Sequence, residues 1–406
     1  MENLEEVVLR KIDDMREEII QFLQQLVKLP SEIPPGKYRQ ISKHIAAKME
    51  EIGLKTQIKR NNVIGELGEG DGLSLIFNAH FDTVTVHDGW TKDSHSGEMI
   101  DNKIYGRGSS DDKSSVVAEI FATKALIDVG INLKGKLIVT AVVNEEIGGL
   151  GGTEYLANED IVKGEACLLG DAPVDYPTAY RGGALQFSFA IKGIRRHAMA
   201  YPDLIPKYRN EYSGINAIHK MIPIINFLME LQDEFNKKET KYPVPPELPK
   251  KISSIEITKL EGGNAIDTVA DSCTLNCMIN VIPEQDIKSI RDKIFNYVQN
   301  LKKNDPSLQI TIQNPVSIPP IVADIESDIA KTVKKAFKKV YNEERDFMTF
   351  IPTTDAHNFQ LKGIETILIG TLRGDNNYHA QDEFVYIEDV INTTKIFALT
   401  ALNYLK

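Results

Sequence analysis

The chain is poor in cysteine, has no long apolar run and carries no excess of basic residues. Its three cysteines, Cys167, Cys273 and Cys277, lack zinc-finger spacing, so we interpret them as reduced core residues. No apolar run approaches membrane-spanning length, and residues 1–20 are acidic and amphipathic, unlike a signal peptide. The net charge of −11 argues against nucleic acid or an anionic membrane as the main partner. We therefore expect a cytoplasmic protein with neither partner.

The order of apolar segments predicts an α/β fold. At 406 residues the chain exceeds what one hydrophobic core usually supports, so we expect two domains. Short apolar runs typical of strands buried on both faces alternate with segments of helical periodicity. The predicted buried strands are residues 73–83, 136–143, 166–170 and 366–370. This succession predicts a mostly parallel, mixed sheet flanked by helices.

A central part of the chain has a different pattern. Apolar and polar residues alternate there, as in antiparallel strands with one solvated face, and two helical segments intervene. The predicted strands are residues 184–192, 252–260 and 272–281, and the predicted helices are residues 214–235 and 285–301. This succession predicts an antiparallel α+β (ferredoxin-like) domain inserted at residues 184–316. Residues 1–183 and 317–406 would then form the other domain.

Acidic side chains and histidines follow the predicted strands of the first domain. They are His80, Asp82, Asp111 or Asp112, Glu145, Glu146, Asp171 and His379. Two histidines with several carboxylates and no thiolate are typical ligands of zinc, cobalt or manganese in hydrolytic sites. A carboxylate shared by two ions would give a two-metal site that activates water. The alternative is that these groups cap helices or pair with lysines, but their shared position at strand ends favours a site.

Five motifs occur in the order NAHFDTV, YGRGSSDDK, NEEIGGLGG, LLGDAP and YHAQDEFV. In this order and spacing they resemble the metallo-aminoacylase and carboxypeptidase family, which includes acetylornithine deacetylase, succinyl-diaminopimelate desuccinylase, aminoacylase-1 and glutamate carboxypeptidase. The likeness extends over nearly the whole chain and is more specific for the family than for a substrate. It implies a di-metal catalytic domain with an inserted dimerisation or lid domain.

The resemblance also implies a ligand set for two zinc ions, with cobalt or manganese as alternatives. One ion would be held by His80, Asp111 and Asp171, and the other by Asp111, Glu146 and His379. The choice of Asp111 over Asp112 as the bridging residue rests only on the family pattern GRGxxDxK. The resemblance further implies a cis peptide bond between these two residues.

Three further roles follow from the resemblance. Glu145 would be the general base, and Asp82 would orient His80. His197, in the segment GIRRHAMA, matches a family motif in which the histidine reaches the active site of a partner subunit and stabilises an oxyanion. We therefore expect a homodimer formed through residues 184–316.

The substrate is less well defined by the sequence. Where many relatives have an asparagine and an arginine that bind the substrate, this chain has Asp267 and Asn280. We predict a di-zinc hydrolase that cleaves the amide bond of a small N-acyl amino acid, as a deacetylase or desuccinylase does. A metal-dependent dipeptidase or carboxypeptidase acting on a short peptide is the nearest alternative. A catalytically inactive, metabolite-binding member of the family is a remote one.

Overall fold

A computed structural model of the chain describes residues 3–68, 70, 72–198, 214–250 and 253–406. These residues form two compact units. The first comprises Met1–Tyr180, Ile321–Phe350 and Thr354–Lys406, and the second comprises Arg181–Pro320 and Ile351–Thr353. The predicted insertion, residues 184–316, lies within the range of the second unit. The α/β class with a separate antiparallel domain is confirmed.

The first unit is built around a large mixed sheet. Its strands are β1 Lys55–Lys59, β2 Asn62–Leu67, β3 Ser74–His80, β6 Lys136–Val142, β7 Ala166–Leu169, β8 Thr178–Arg181, β13 Ile321–Val322, β14 Met348–Phe350 and β15 Glu365–Leu368. The strand order is β1-β2-β6-β3-β7-β15-β8-β13, and β14 pairs with β8. The central strands β6, β3, β7 and β15 run parallel. A smaller antiparallel sheet consists of β4 Met99–Ile100, β5 Lys103–Tyr105 and β16 Phe384–Tyr386.

Helices cover both faces of the large sheet. They are α1 Leu4–Asp14, α2 Arg16–Val27, α3 Arg39–Glu51, α4 Lys113–Asp128, α5 Thr153–Asn158, α8 Asp328–Tyr341, α9 His357–Gln360 and α10 Ile387–Tyr404. On one face α4 and α10 pack together against β3, where the rings of Phe77 and Phe397 lie 4.7 Å apart. On the other face Leu156 of α5 and Phe359 of α9 share one hydrophobic core with Ile76. Burial on both faces explains why β3 and β6 are nearly continuous apolar runs.

The second unit is a four-stranded antiparallel sheet with helices on one face. Its strands are β9 Gly183–Lys192, β10 Ser254–Gly262, β11 Ser272–Val281 and β12 Gln309–Ile318, in the order β10-β11-β9-β12, and its helices are α6 Ala217–Phe235 and α7 Ile287–Asn304. Alternate residues of β9, among them Phe187 and Phe189, contact the helices in one core. This strand order and succession are those of a ferredoxin-like domain.

Several elements differ from the prediction in their bounds. Residue 252, the predicted start of one strand, lies outside the described residues, and that strand runs on to Gly262. The short strands β8, β13 and β14 and the one-turn helices α5 and α9 were not predicted, because such segments are too short to show a period. In the described part of the chain no helix combines the length and apolar character needed to cross a membrane.

Candidate metal centre

Three parallel strands end at one edge of the large sheet, and a histidine or acidic residue lies at each end. β3 ends at His80, β6 leads into a one-turn 3-10 helix at Glu145–Ile147, and β7 is followed closely by Asp171. Because β3 pairs in parallel with both β6 and β7, the carboxyl ends of these strands lie side by side. This edge is where open α/β sheets place their ligands.

The Asp111 carboxylate lies between two histidines. Its Oδ1 is 3.0 Å from His80 Nε2, and its Oδ2 is 3.1 Å from His379 Nε2. Glu146 Oε2 is 3.0 Å from the same nitrogen of His379. The peptide bond between Asp111 and Asp112 is cis, as the family likeness implies. A carboxylate that meets two imidazoles through different oxygens has the arrangement of a bridging ligand.

Six side chains, which we call the metal-centre cluster, form two groups that could each hold an ion. One group is His80, Glu145 and Asp171, and the other is Asp111, Glu146 and His379. Within each group, one ligand atom from every residue lies within 4.8 Å of the others. The first group includes Glu145, the predicted base, within reach of a ligand position. The division of roles between base and ligand therefore stays a prediction.

Left-handed backbone conformations direct two of these side chains. Asp171 has φ 71° and His379 has φ 61°, and Asn144, just before Glu145, has φ 65°. Residues other than glycine rarely adopt such values, although asparagine, aspartate and histidine do so most readily. Each of these residues turns the chain sharply at the sheet edge. The residue types at these positions therefore suit both the turn and the coordination chemistry.

Asp82 connects the two strand ends that carry the cluster. Its backbone oxygen lies 3.0 Å from His80 Nδ1, and its carboxylate Oδ1 lies 3.5 Å from the same nitrogen. The carboxylate also accepts hydrogen bonds from the backbone N–H groups of Glu145 and Glu146, at 3.1 and 3.2 Å. Asp82 thus borders the His80 ring, as the sequence predicts, and also anchors the turn that carries both glutamates. The second contact was not predicted.

The cluster gathers acidic groups at a partly shielded end of the sheet, with His80, Asp111 and Asp171 buried and Glu145 and Glu146 half-buried. Burial raises the pKa of the Glu145 and Asp171 carboxyls well above their usual values, and neighbouring carboxylates raise them further. Burial opposes the charged form of His80, but hydrogen bonds with Asp111 and Asp82 outweigh it and raise its pKa well above the usual value. Hydrogen bonds with Asp111 and Glu146 raise the pKa of His379 to about 10. The site therefore favours positive charge between its carboxylates.

The donor set fits a pair of divalent metal ions. The two imidazoles and four carboxylates are the ligand types that zinc, cobalt and manganese accept in hydrolytic sites. The Nδ1 atom of His80 faces the Asp82 carbonyl, which leaves Nε2 directed at the cluster, as in a metal-ligating histidine held by an outer partner. The three cysteines are buried as free thiols and are not members of either group.

Other predicted residues lie in the second unit. His197 is exposed and forms an isolated antiparallel bridge with Thr268. Asn280, on β11, donates a hydrogen bond through Nδ2 to Ser254 Oγ at 3.3 Å, and the backbone oxygen of Asp267 accepts one from the N–H of Ala198. The metal-centre cluster is built from the first unit. The predicted part of His197 in a partner's site therefore stays a prediction.

Some residues that support the site carry no signal in the sequence. The Tyr38 hydroxyl donates a hydrogen bond to Asn144 Oδ1 at 2.8 Å and so holds the turn that precedes Glu145. Nothing in the local sequence around Tyr38 indicates this contact, because its partner is 106 residues away. Arg107 and Glu383 lie within two of the recognised motifs, but the sequence did not predict a role for either.

This sheet, the antiparallel unit and the two-histidine cluster are together suited to the chemistry of a metal-dependent hydrolase. The chain belongs to peptidase family M20/M25/M40, whose family model matches residues 76–403. The family likeness read from the sequence motifs is therefore confirmed.

Relatives with established names include enzymes that remove acyl groups. The chain is 26% identical to N-formyl-4-amino-5-aminomethyl-2-methylpyrimidine deformylase of Bacillus subtilis over 308 residues, which cover 73% of this chain and 70% of that protein. It is 26% identical to acetylornithine deacetylase of Photorhabdus laumondii over 275 residues, or 64% and 66% of the two chains. The uncharacterized protein YgeY of Escherichia coli K12 is 31% identical over 246 residues, which span only 57% of its length and 58% of this chain.

Solved structures support the fold. Human carnosine dipeptidase 1 aligns with a TM-score of 0.78 at 18% identity, covering 100% of this chain and 99% of that chain. The dipeptidase Dug1p of Saccharomyces cerevisiae aligns with a TM-score of 0.78 at 16% identity, covering 98% of each chain. At these identities the likeness establishes the shared architecture alone.

Proposed function

We propose that this protein is a two-metal amidohydrolase that releases an amino acid from a small N-acyl amino acid. The observation that carries the proposal is the Asp111 carboxylate, which meets His80 through one oxygen and His379 through the other. The acyl-removing activities named for two relatives support a deacylase over a peptidase.

In this proposal each residue of the site has a separate role in the hydrolysis of the amide. A pair of bound ions supplies Lewis-acid polarisation of the carbonyl and a water of lowered pKa. Asp111 would contribute to both ion positions, which His80 and Asp171 on one side and Glu146 and His379 on the other would complete. Glu145 accepts a proton from the attacking water and delivers it to the departing nitrogen. Asp82 holds the turn that aims Glu145, through the two backbone hydrogen bonds described above.

Metal content and substrate class form the first test. We expect elemental analysis to find about two zinc, cobalt or manganese ions per chain, as in other two-metal hydrolases. Amine release should occur with N-acetyl or N-succinyl amino acids and should stop when a chelator removes the ions. Turnover of dipeptides alone would select the peptidase alternative. Bound metal without turnover of any amide would support the inactive, metabolite-binding alternative, and no metal after reconstitution would contradict the whole proposal.

We also propose that the protein works as a homodimer in which His197 completes the partner's site. His197→Ala should lower kcat by about 10²–10³-fold, the usual effect of removing one oxyanion donor. Metal content should stay unchanged, because His197 is not in the metal-centre cluster.

Mixed dimers can test whether His197 acts across subunits. A dimer of one His197→Ala chain and one Glu145→Gln chain retains an intact combination at one of its two sites if His197 acts on its partner. Its activity should then far exceed that of either parent dimer. Absence of rescue in a verified mixed dimer would show that His197 acts within its own chain or not at all.

A further inference from the structure

A buried ion pair lies beside the metal-centre cluster without belonging to it. Arg107 Nη1 donates to Glu383 Oε2 at 2.6 Å, and the two side chains are 2% and 0% exposed. Such a pair contributes little net stability, because removing two charges from water offsets their attraction. The role of the Arg107–Glu383 pair therefore depends on which backbone segments the two side chains hold in place.

The Glu383 carboxylate holds the segment that carries Asp111. Its Oε1 accepts hydrogen bonds from the backbone N–H groups of Ser110 and Asp111, at 3.0 and 3.1 Å. Its Oε2 accepts another from the N–H of Gly108, at 3.1 Å. One carboxylate therefore fixes three backbone amides of the turn before α4. The amide of Asp111, the residue between the two histidines, is among them.

The Arg107 guanidinium holds the segment that carries His379. Its Nη2 donates to the backbone oxygen of Ala380 at 3.0 Å, one residue after His379. The backbone N–H of Gly106 donates to the backbone oxygen of Glu383 at 2.9 Å, which adds a second link between the same segments. The Trp90 ring lies against the guanidinium, 5.3 Å from it. Both ends of the Arg107–Glu383 pair are thus bonded to backbone beside a cluster residue.

We propose that Arg107 and Glu383 are positioning residues that set the separation between Asp111 and His379. They thereby set the affinity for the ion that these two residues would share with Glu146. The inference rests on the proposed two-metal function and deepens it. Arginine suits the task because its planar fork can bond a carboxylate and a carbonyl at once, which a lysine cannot reproduce.

The test measures metal affinity as well as activity. In Glu383→Gln the amide keeps the shape of the side chain but turns an N–H group toward backbone N–H donors. Titration of the metal-free chain with Co²⁺, followed by its visible absorption, should show one of two equivalents bound about 10- to 100-fold more weakly, the usual effect of losing an outer partner of a metal ligand. The other equivalent should lose less affinity, because it shares Asp111 but does not depend on His379 or Glu146.

A matched control comes from a second arginine–carboxylate pair in the same unit. Asp389, itself buried, accepts hydrogen bonds from Arg373 at 2.5 and 2.8 Å. Asp389→Asn removes an equivalent charge but spares the 106–111 segment. We expect it to lower the melting temperature and to leave both Co²⁺ affinities unchanged. Equal losses of Co²⁺ affinity in both variants would show general destabilisation and overturn the proposal.

Hydrogen exchange in the wild-type chain gives a test that does not depend on folding of a variant. Without metal, the amides of Gly108, Ser110 and Asp111 should exchange slowly, as amides bonded to a buried acceptor do. Exchange at the rate of an open loop would contradict the proposal.

Arg107→Lys should weaken the same Co²⁺ equivalent as Glu383→Gln. A wild-type chain that binds no metal would instead refute the proposed function, whereas two tightly bound ions in Glu383→Gln would refute only the positioning role.

Discussion

Replacing Glu145 with glutamine should lower kcat by about 10²–10⁴-fold, the range that general acid–base catalysis contributes, while two metal ions stay bound. The glutamine amide has the size of the carboxylate, but it cannot accept a proton from water. Elemental analysis and kcat measured on the same sample would check both halves of this expectation. The metal content of the variant decides whether Glu145 is the base or a metal ligand, because Glu145 lies within ligand reach of His80 and Asp171.

The neighbouring glutamate provides the matched control. Glu146 lies on the same 3-10 turn, and its backbone N–H is held by the same Asp82 carboxylate, but its own carboxylate contacts His379. We therefore expect Glu146→Gln to bind one ion fewer than the wild type and to lose activity as well. If Glu145→Gln released an ion in the same way, Glu145 would be a ligand, and the assignment of the base would be wrong.

Three of the site residues could be located from the sequence because each lies at the end of a buried strand. Buried parallel strands are apolar along their whole length, so the first charged residue after such a run marks the sheet edge. His80, Glu145 and Asp171 follow this rule, and the parallel pairing of β3 with β6 and β7 brings them together. The order of apolar segments predicted a mostly parallel sheet, because crossover helices favour parallel strands, but it did not predict which strands are neighbours.

This reasoning could not predict contacts between segments that lie far apart in the sequence. The Asp82 carboxylate bonds backbone amides 63 and 64 residues away, and Glu383 bonds amides more than 270 residues away. The type of a residue does not indicate which side chain its backbone amide will bond. The sequence pattern therefore does not predict these contacts. The sequence therefore predicted which side chains form the cluster better than it predicted what holds them in place.

The choice between Asp111 and Asp112 shows the same limit in adjacent residues. Both acids precede α4, and a pattern of residue types treats them alike. The backbone geometry of the turn separates them, because it directs the Asp111 carboxylate between His80 and His379. Asp112 is instead fully buried at the start of α4, beside Ser115. Two neighbouring carboxyls thus meet very different surroundings.

This difference leads to a second large expected effect. Asp111→Asn should weaken binding of both ions by at least about 100-fold, since even the loss of an outer partner costs 10- to 100-fold. The reason is that an amide offers one acceptor oxygen where the carboxylate offers two, so it cannot serve both ion positions with charge. Equilibrium dialysis against zinc or cobalt, followed by elemental analysis, would measure the loss. Retention of both ions would rule out a bridging role for Asp111.

Asp112→Asn is the control for the same turn, and it should be nearly silent. Burial raises the pKa of Asp112 to about 8 and so favours its neutral form, which an amide of equal size replaces closely. We expect two bound ions and a kcat within a few-fold of the wild type. If Asp112→Asn lost both ions and Asp111→Asn retained them, Asp112 would be the bridging residue instead. Because both changes replace one acidic residue of the same turn with asparagine, their difference reports on the surroundings of each side chain and not on the substitution itself.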